Sequence, residues 1–511
     1  MTEKQFILEL ETSKKIIIYG AGMVGNLVYS RLVYNGLGKY IIGFAVSYKN
    51  KENYFDVPVY EISELSKYKE SADVIIATFP NLHTEILNTL QQYGFKHIRK
   101  ISKELYQDMA ENYIEEYRRL HSFTRTSVDI LLMASDNNSS SGAFLCLADL
   151  SVELSKYGIT NVIVLPEYGN GEGVLLSKNI DFVYIPSKPW AKKSDKIFAT
   201  SKDMEIEQKV NDKAILEIET FIVQHQVKLV HNNTSYTYVG AVAAKNQNIP
   251  FVWHIRENVY EQGFAFIDYE KSIEFINQSV KIIAVSNFIS TCYQSLRCDK
   301  IQVCYDGVNT EDYYNGKKSL FNHKKVIISQ IGVITPAKNQ IDLIKVSLIL
   351  KKKPIDFLIR FIGNGDKEYI DNLREMIKTY QLEENIAFMG RREDISTFYQ
   401  EADIVTVCSR AEPFGRITVE AQLAGCLVIG ADVGATPELI EDGKTGFLYQ
   451  HGNIEDFAEK IVYALNERER VKKIAENGQR HAYTLYTKER NAKEIMNLYQ
   501  EILSEQVGDE G

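Results

Sequence analysis

Two glutamates, Glu412 and Glu420, bracket a glycine-bearing turn in Ser409-Arg410-Ala411-Glu412-Pro413-Phe414-Gly415-Arg416-Ile417-Thr418-Val419-Glu420-Ala421. The segment follows an apolar, strand-like run and leads into a helix ending near Gly425. At the carboxyl end of a strand in an open α/β sheet, a helix N-terminus offers free N–H groups and a partial positive charge, which suits a phosphate. Gly415 allows close backbone approach there. A carboxylate accepts paired hydroxyl donors well, so Glu412 before the helix and Glu420 within it can hold different parts of one polyhydroxylated ligand. Either glutamate alone is equally an ordinary helix-start or solvated helix residue; the whole pattern is far more specific.

Other segments extend the pattern. Phe361-Ile362-Gly363-Asn364-Gly365-Asp366 is a glycine loop at a strand end, and Ala387-Phe388-Met389-Gly390-Arg391 closes another strand. Gly434-Ala435-Thr436-Pro437-Glu438-Leu439-Ile440 precedes Asp442-Gly443-Lys444-Thr445-Gly446-Phe447-Leu448. Together these segments resemble the family 4 (group 1) retaining glycosyltransferases, whose hallmark is Glu-x7-Glu, over roughly residue 128 to the C-terminus. The resemblance implies a GT-B fold and sugar transfer from a nucleotide-diphosphate donor with retention of configuration. On it, Glu412 contacts donor-sugar hydroxyls and Glu420 the ribose. Gly363 and Gly365 form the donor glycine loop, Arg391 lines the nucleobase, and Phe414, Gly415 and Arg416 complete the donor site.

Paired carboxylates also suggest a glycosidase, with one acting as acid and the other as nucleophile or base. A β-α-β chain with phosphate-cradling loops instead provides for a phosphorylated donor, which hydrolysis does not need. No Asp-x-Asp occurs in the chain, so the usual metal clamp of the other nucleotide-sugar transferase fold is missing and protein cations must neutralise the departing diphosphate. No cofactor or metal is expected. In Gly332-Val333-Ile334-Thr335-Pro336-Ala337-Lys338-Asn339-Gln340, the family places an Arg just after the Gly and a Lys farther on. Lys338 matches, and Val333 stands at the Arg position. Arg416, Arg391 and Arg392 are the neighbouring cations that could supply the missing charge.

On the acceptor side, Asp136-Asn137-Asn138-Ser139-Ser140-Ser141-Gly142-Ala143 resembles the family's loop facing the donor phosphates, with Gly142 as its permissive residue. A polar turn capped by Asp, Asn or Ser is the alternative. His254, ending the strand-like Pro250-Phe251-Val252-Trp253-His254-Ile255, matches the family histidine that bonds the donor sugar near the reacting carbon. Glu257 either orients an acceptor or pairs with Arg256. Asp306-Gly307-Val308-Asn309 resembles the interdomain hinge.

The elements that must position these residues are short apolar runs alternating with amphipathic segments, the pattern of parallel sheets. A first series has runs at 16–19, 41–46, 74–79 and 97–101; a second starts at 128–133 and a third at 326–331. The expected architecture is α/β. A small Rossmann-like accessory module (1–102) and a helical linker (103–126) precede two doubly wound domains that face a cleft. These are an acceptor domain (127–312) and a donor domain (313–485), followed by a C-terminal helix and tail (486–511). In the first module, Gly20-Ala21-Gly22-Met23-Val24-Gly25 has the strand-to-helix context of a dinucleotide fingerprint, but the acidic residue expected after the second strand is missing. A docking or scaffolding module, forming a homo- or hetero-oligomer, is the favoured reading.

Composition sets the outer limits. Hydrophobic residues make up 45% and charged residues 25%, as in a globular protein, and no apolar run is long enough to span a bilayer. The first residues carry no apolar signal-peptide core, so a cytoplasmic protein is expected. The six cysteines show no Cys-x-x-Cys pair and read as reduced thiols. A net charge of −9 argues against a general nucleic-acid binder. The expected partners are a nucleotide sugar and a glycan or lipid-linked acceptor, as in bacterial surface-polysaccharide assembly. Peripheral membrane contact at Lys188-Pro189-Trp190-Ala191-Lys192-Lys193-Ser194-Asp195-Lys196 is a further expectation; its alternative is a solvated basic loop with a packed Trp. A GT-B epimerase and a non-catalytic assembly partner are the competing functions.

Overall fold

The computed structural model describes residues 1–47, 49, 53–194, 201–261, 263–293, 295–392 and 394–509. Asp195 and Lys196, in the basic loop, lie outside them. The chain divides into two compact units. One is Met1–Thr124 with Asp136–Ser139 and Leu165–Val174; the other is Arg125–Ser135, Ser140–Val164 and Leu175–Gly511.

The first unit is built on β1 (Ile16–Tyr19), β2 (Ile41–Val46), β3 (Asn53–Tyr54), β4 (Val57–Glu61), β5 (Asp73–Ile76) and β6 (His97–Lys100), in the order β3-β4-β2-β1-β5-β6. Ile16, Ile17, Ile18 and Tyr19 are all buried, because β1 lies in the middle of the sheet with helices over both faces. The sheet is larger than the four expected runs. The short strand β3, antiparallel to β4, carries too few apolar residues to register as a run. The expected linker is also part of this unit. Its helix, Lys103–Leu120, ties back through Glu116 to Arg31 (2.6 Å) and through Asn112 to Glu3 (2.8 Å).

The second unit contains two principal sheets, called acceptor-side and donor-side after the roles that the sequence resemblance implies for them. The acceptor-side sheet comprises β7 (Ile130–Met133), β8 (Asn161–Leu165), β9 (Phe182–Tyr184), β11 (Leu229–Asn233), β12 (Phe251–Ile255), β14 (Lys281–Ala284) and β15 (Ile301–Val303), in the order β15-β14-β12-β11-β7-β8-β9. A two-stranded ribbon pairs β10 (Ala191–Lys193) with β13 (Phe264–Phe266). The donor-side sheet comprises β16 (Val326–Ile331), β17 (Phe357–Ile362), β18 (Ile386–Gly390), β19 (Ile404–Val407), β20 (Leu427–Ala431) and β21 (Phe447–Tyr449), in the order β18-β17-β16-β19-β20-β21. Its neighbouring pairs are all parallel. Alternation along β16 serves both faces: Val326 and Ile328 join one core cluster, and Ile327 and Ile331 join the other.

The C-terminal helix, Lys488–Asp509, packs on the acceptor-side sheet, where Tyr499 Oη meets His231 Nδ1 at 2.6 Å, and Asn491 Nδ2 donates to Tyr305 O at 2.7 Å.

Candidate active site

The site forms where strands of the donor-side sheet end. After β16 the chain turns through Gly332, at φ +130°, into the short turn Pro336–Lys338. After β17 it passes through Gly363 and Gly365, and the two loops run against each other: Ile334 N donates to Asn364 O at 3.0 Å. A Cβ on Gly363 would fall 1.9 Å from Gly332 O, and one on Gly365 would fall 1.9 Å from Ile334 O. These two glycines are required by the contact between the loops. After β19 comes the glutamate segment, whose Arg410 N donates to Ala337 O at 3.0 Å and so draws the third loop to the first.

That contact brings Lys338 to Glu412. Lys338 Nζ donates to Glu412 Oε1 at 2.5 Å, and Ser409 Oγ donates to the same oxygen at 2.5 Å. Glu412 is only 7% exposed. Burial raises its pKa, but the Lys338 ammonium and the Ser409 hydroxyl outweigh burial and hold the carboxyl below its usual range. The group is therefore an anion at neutral pH. Gly415, at φ +103°, then opens the helix Arg416–Leu423 without a side-chain cap, and Thr418 N donates to Gly415 O at 2.9 Å.

Glu420, on the next turn of that helix, belongs to a different cluster. Its Oε2 accepts from Tyr399 Oη at 2.9 Å, and its Oε1 lies 3.5 Å from Arg416 Nε. Arg416 reaches across to the acceptor side, where Nη1 donates to Cys146 Sγ (2.9 Å) and Gly307 O (3.3 Å). Gly142 lies beside it, since an added Cβ would sit 3.5 Å from Arg416 Cδ. The structure thus brings Gly142, Arg416, Glu420 and the Gly307 turn together. Ser141 caps the helix Gly142–Lys156 through Phe144 N at 3.3 Å, so this turn is of the Ser-capped kind. Arg391 is exposed, with its backbone N bonded to Asn364 Oδ1 at 3.0 Å. Val333 is 56% exposed.

His254 is placed elsewhere. It is 0% exposed, its ring stands edge-on to His231, and Arg256 Nη2 approaches its Nδ1 at 3.2 Å. Burial, then the Arg256 charge, then His231 hold it neutral, well below the usual histidine range. In this conformation His254 Nε2 is buried and has no hydrogen-bond partner among the described residues. Arg256 does not pair its guanidinium with Glu257; that group bonds Asp306 and Asn233. Glu257 is enclosed and accepts from Ser235 N (2.5 Å) and Ser235 Oγ (2.6 Å).

The two sheets of this unit are clasped beside the site by a residue that motif reading passed over. Glu438 accepts from Asn287 N (2.8 Å), Phe288 N (2.7 Å), Asn287 Nδ2 (3.0 Å) and Tyr305 Oη (2.9 Å). Ser286 Oγ donates to Pro413 O at 2.5 Å. Phe414 is buried against Tyr305 and Tyr486, making it a packing residue of this clasp. Only the Gly-Ala-Thr-Pro-Glu string hinted at Glu438, and nothing in the sequence links it to residues 287–305.

The basic loop does not present a free indole. Trp190 stacks on Tyr238 (4.9 Å) and Trp253 (5.6 Å), and its Nε1 donates to Ser235 O at 2.5 Å. Lys192 is paired with Glu207 at 2.6 Å. Among the described residues no helix is long and apolar enough to cross a membrane, and no group of three or more His, Cys, Asp or Glu side chains is gathered as for a metal ion.

Residues 315–481 match the family described as glycosyl transferases group 1. The matched region contains Lys338, Glu412, Glu420 and the glycine loops. An uncharacterized glycosyltransferase of Methanocaldococcus jannaschii is 27% identical over 275 residues, 51% of this chain and 72% of that protein. The N-acetyl-alpha-D-glucosaminyl L-malate synthase of Bacillus anthracis is 22% identical over 236 residues, 45% of this chain and 61% of that one. Among solved structures, Anabaena HepE in complex with UDP superposes with a TM-score of 0.63 at 22% identity, covering 73% of this chain and all of that one. The likeness shows the GT-B fold.

Proposed function

We propose that the chain transfers a sugar, a hexose or a close relative, from a nucleotide-diphosphate donor to a glycan or lipid-linked glycan. The reading includes retention of anomeric configuration and no metal. The observation that supports it is the Lys338–Glu412 pair, held beside an uncapped helix N-terminus where three strand-end loops converge. The first N–H groups of the helix Arg416–Leu423 and the Lys338 ammonium meet the diphosphate, and Glu412 accepts sugar hydroxyls. As the anomeric C–O bond to phosphate breaks, the leaving oxygen takes the acceptor proton and the acceptor oxygen bonds the same face of the sugar. The protein contributes position and charge rather than a nucleophile. HepE structures hold UDP-glucose, which makes UDP sugars the first donors to try. The first unit serves as a docking module for a like or unlike partner.

Val333 favours a second reading, a non-catalytic nucleotide-sugar-binding partner, because an exposed apolar side chain leaves the diphosphate one cation short. Incubation with UDP-glucose and other nucleotide sugars plus glycan acceptors, followed by NMR of the product anomeric coupling, tests the proposal. A product with the donor's anomeric configuration supports it; inversion refutes the retaining mechanism. Donor binding without product under any pairing favours the second reading.

A further inference from the structure

Glu420 has a partner for which donor contact alone gives no reason. Tyr399, on the helix Ile395–Glu401, is fully buried, and its Oη donates to Glu420 Oε2 at 2.9 Å. The Tyr399 ring stands edge-on to Tyr313 at 5.6 Å and 85°, so it cannot swing away without disturbing a second aromatic ring. Burial and then the Glu420 charge push the Tyr399 phenol well above its ordinary range, which keeps it a hydrogen-bond donor at every working pH. On the other side, Arg416 Nε lies 3.5 Å from Oε1, too far for a strong hydrogen bond. Tyr313 also lies within hydrogen-bonding reach of the Glu420 carboxylate. A carboxylate oxygen accepts more than one hydrogen bond, so Oε1 keeps acceptor capacity. The terminal torsion of a glutamate is otherwise broad, and the fully buried Tyr399 phenol is the partner that fixes Oε2 and with it the direction of Oε1.

We propose that Tyr399 is a positioning residue that turns Glu420 so that Oε1 accepts a ribose hydroxyl of the donor nucleotide, giving the site a preference for ribonucleotides over deoxyribonucleotides. The proposal rests on the reading of Glu420 as the ribose carboxylate. Fixing the carboxylate in advance removes the ordering cost at binding, and a buried acceptor left without its hydroxyl penalises the deoxy ligand.

The test is calorimetric titration of the full chain with UDP, 2′-deoxy-UDP and 3′-deoxy-UDP, or the corresponding ADP or GDP set if that nucleotide binds more tightly. The proteins are wild type, Tyr399→Phe, Glu420→Gln and the double variant, each checked by thermal unfolding. Wild type should favour the ribonucleotide over one deoxy form by roughly 10–100-fold, the worth of one hydrogen bond to a charged group. Tyr399→Phe should cut that preference to within about threefold while leaving the deoxy affinity nearly unchanged. Glu420→Gln should do the same, and the double variant should match Glu420→Gln. If Tyr399→Phe unfolds because a buried charge loses its partner, the double variant removes that charge and is compared with Glu420→Gln directly. A wild-type preference surviving in Tyr399→Phe, or a double variant that differs from Glu420→Gln, overturns the role of Tyr399. No wild-type preference, or no nucleotide binding, overturns the ribose reading of Glu420 and this proposal with it.

Discussion

Lys338 Nζ and Glu412 Oε1 meet at 2.5 Å although 74 residues separate them, because Arg410 N bonds Ala337 O and pins one loop to the other. The pair joins a cation suited to a diphosphate with an anion suited to a sugar, and the cation helps hold Glu412 ionised.

Glu412→Gln is expected to reduce transfer by roughly 10–1000-fold, since a charged contact of about 1.5–3 kcal/mol or more in a closed site is lost. Steady-state kinetics with the donor found above reads this directly. Rates near wild type would remove Glu412 from the site.

The same variant carries a pH signature. The folded Glu412 pKa lies below its unfolded value, so its contribution to stability is complete above the unfolded pKa, about 4.3, and is lost as pH falls through the folded value. Thermal unfolding of wild type and Glu412→Gln should therefore differ by a constant amount above about pH 5.5, and the difference should shrink as pH falls below about 4.3 and through the lowered folded value. A difference that grows on acidification would contradict the ion-pair account.

Lys338→Ala should lower the turnover number more than it weakens ground-state donor binding, because diphosphate charge develops as the bond breaks. Kinetics alongside UDP titration separates the two. A raised Michaelis constant with unchanged turnover would assign Lys338 to binding alone.

Much of the frame was legible. The apolar runs of β1, β7 and β16 announced parallel strands, and the Glu-x7-Glu segment announced a strand end running into a helix, which is where Glu412 and Glu420 stand. The legible part stopped where partners lie far apart in sequence. Tyr399 beside Glu420, Glu438 on Asn287 and Phe288, and Arg416 on Cys146 depend on tertiary approach, and no local spacing encodes them. His254 shows the converse: a histidine at a strand end can face the sheet interior, and strand position alone does not reveal which.

Glycine substitutions distinguish building from binding. Gly365→Ala should destabilise the chain by about 1–3 kcal/mol, because its Cβ would collide with a backbone carbonyl. Gly142→Ala should leave the unfolding midpoint within a degree or two, since its Cβ meets only the Arg416 side chain at 3.5 Å. Differential scanning calorimetry of both reads the contrast, and equal losses would mean that the loop contact at Ile334 is not as described.

Cutting the clasp should loosen the two sheets of the second unit. Glu438→Ala removes the acceptor for four donors, and a loss of about 1–3 kcal/mol is expected, with faster proteolysis around residues 286–305. Unchanged stability together with unchanged proteolysis would show that the clasp contributes nothing.

Ligand-observed NMR of a nucleotide-sugar panel against wild type and Glu412→Gln tests the central claim most directly. The account predicts saturation transfer to nucleotide and sugar protons of at least one nucleotide sugar in wild type, with the sugar signals lost first in Glu412→Gln. No transfer from any nucleotide sugar in wild type, or sugar signals identical in the two proteins, would contradict a donor site built on Lys338 and Glu412.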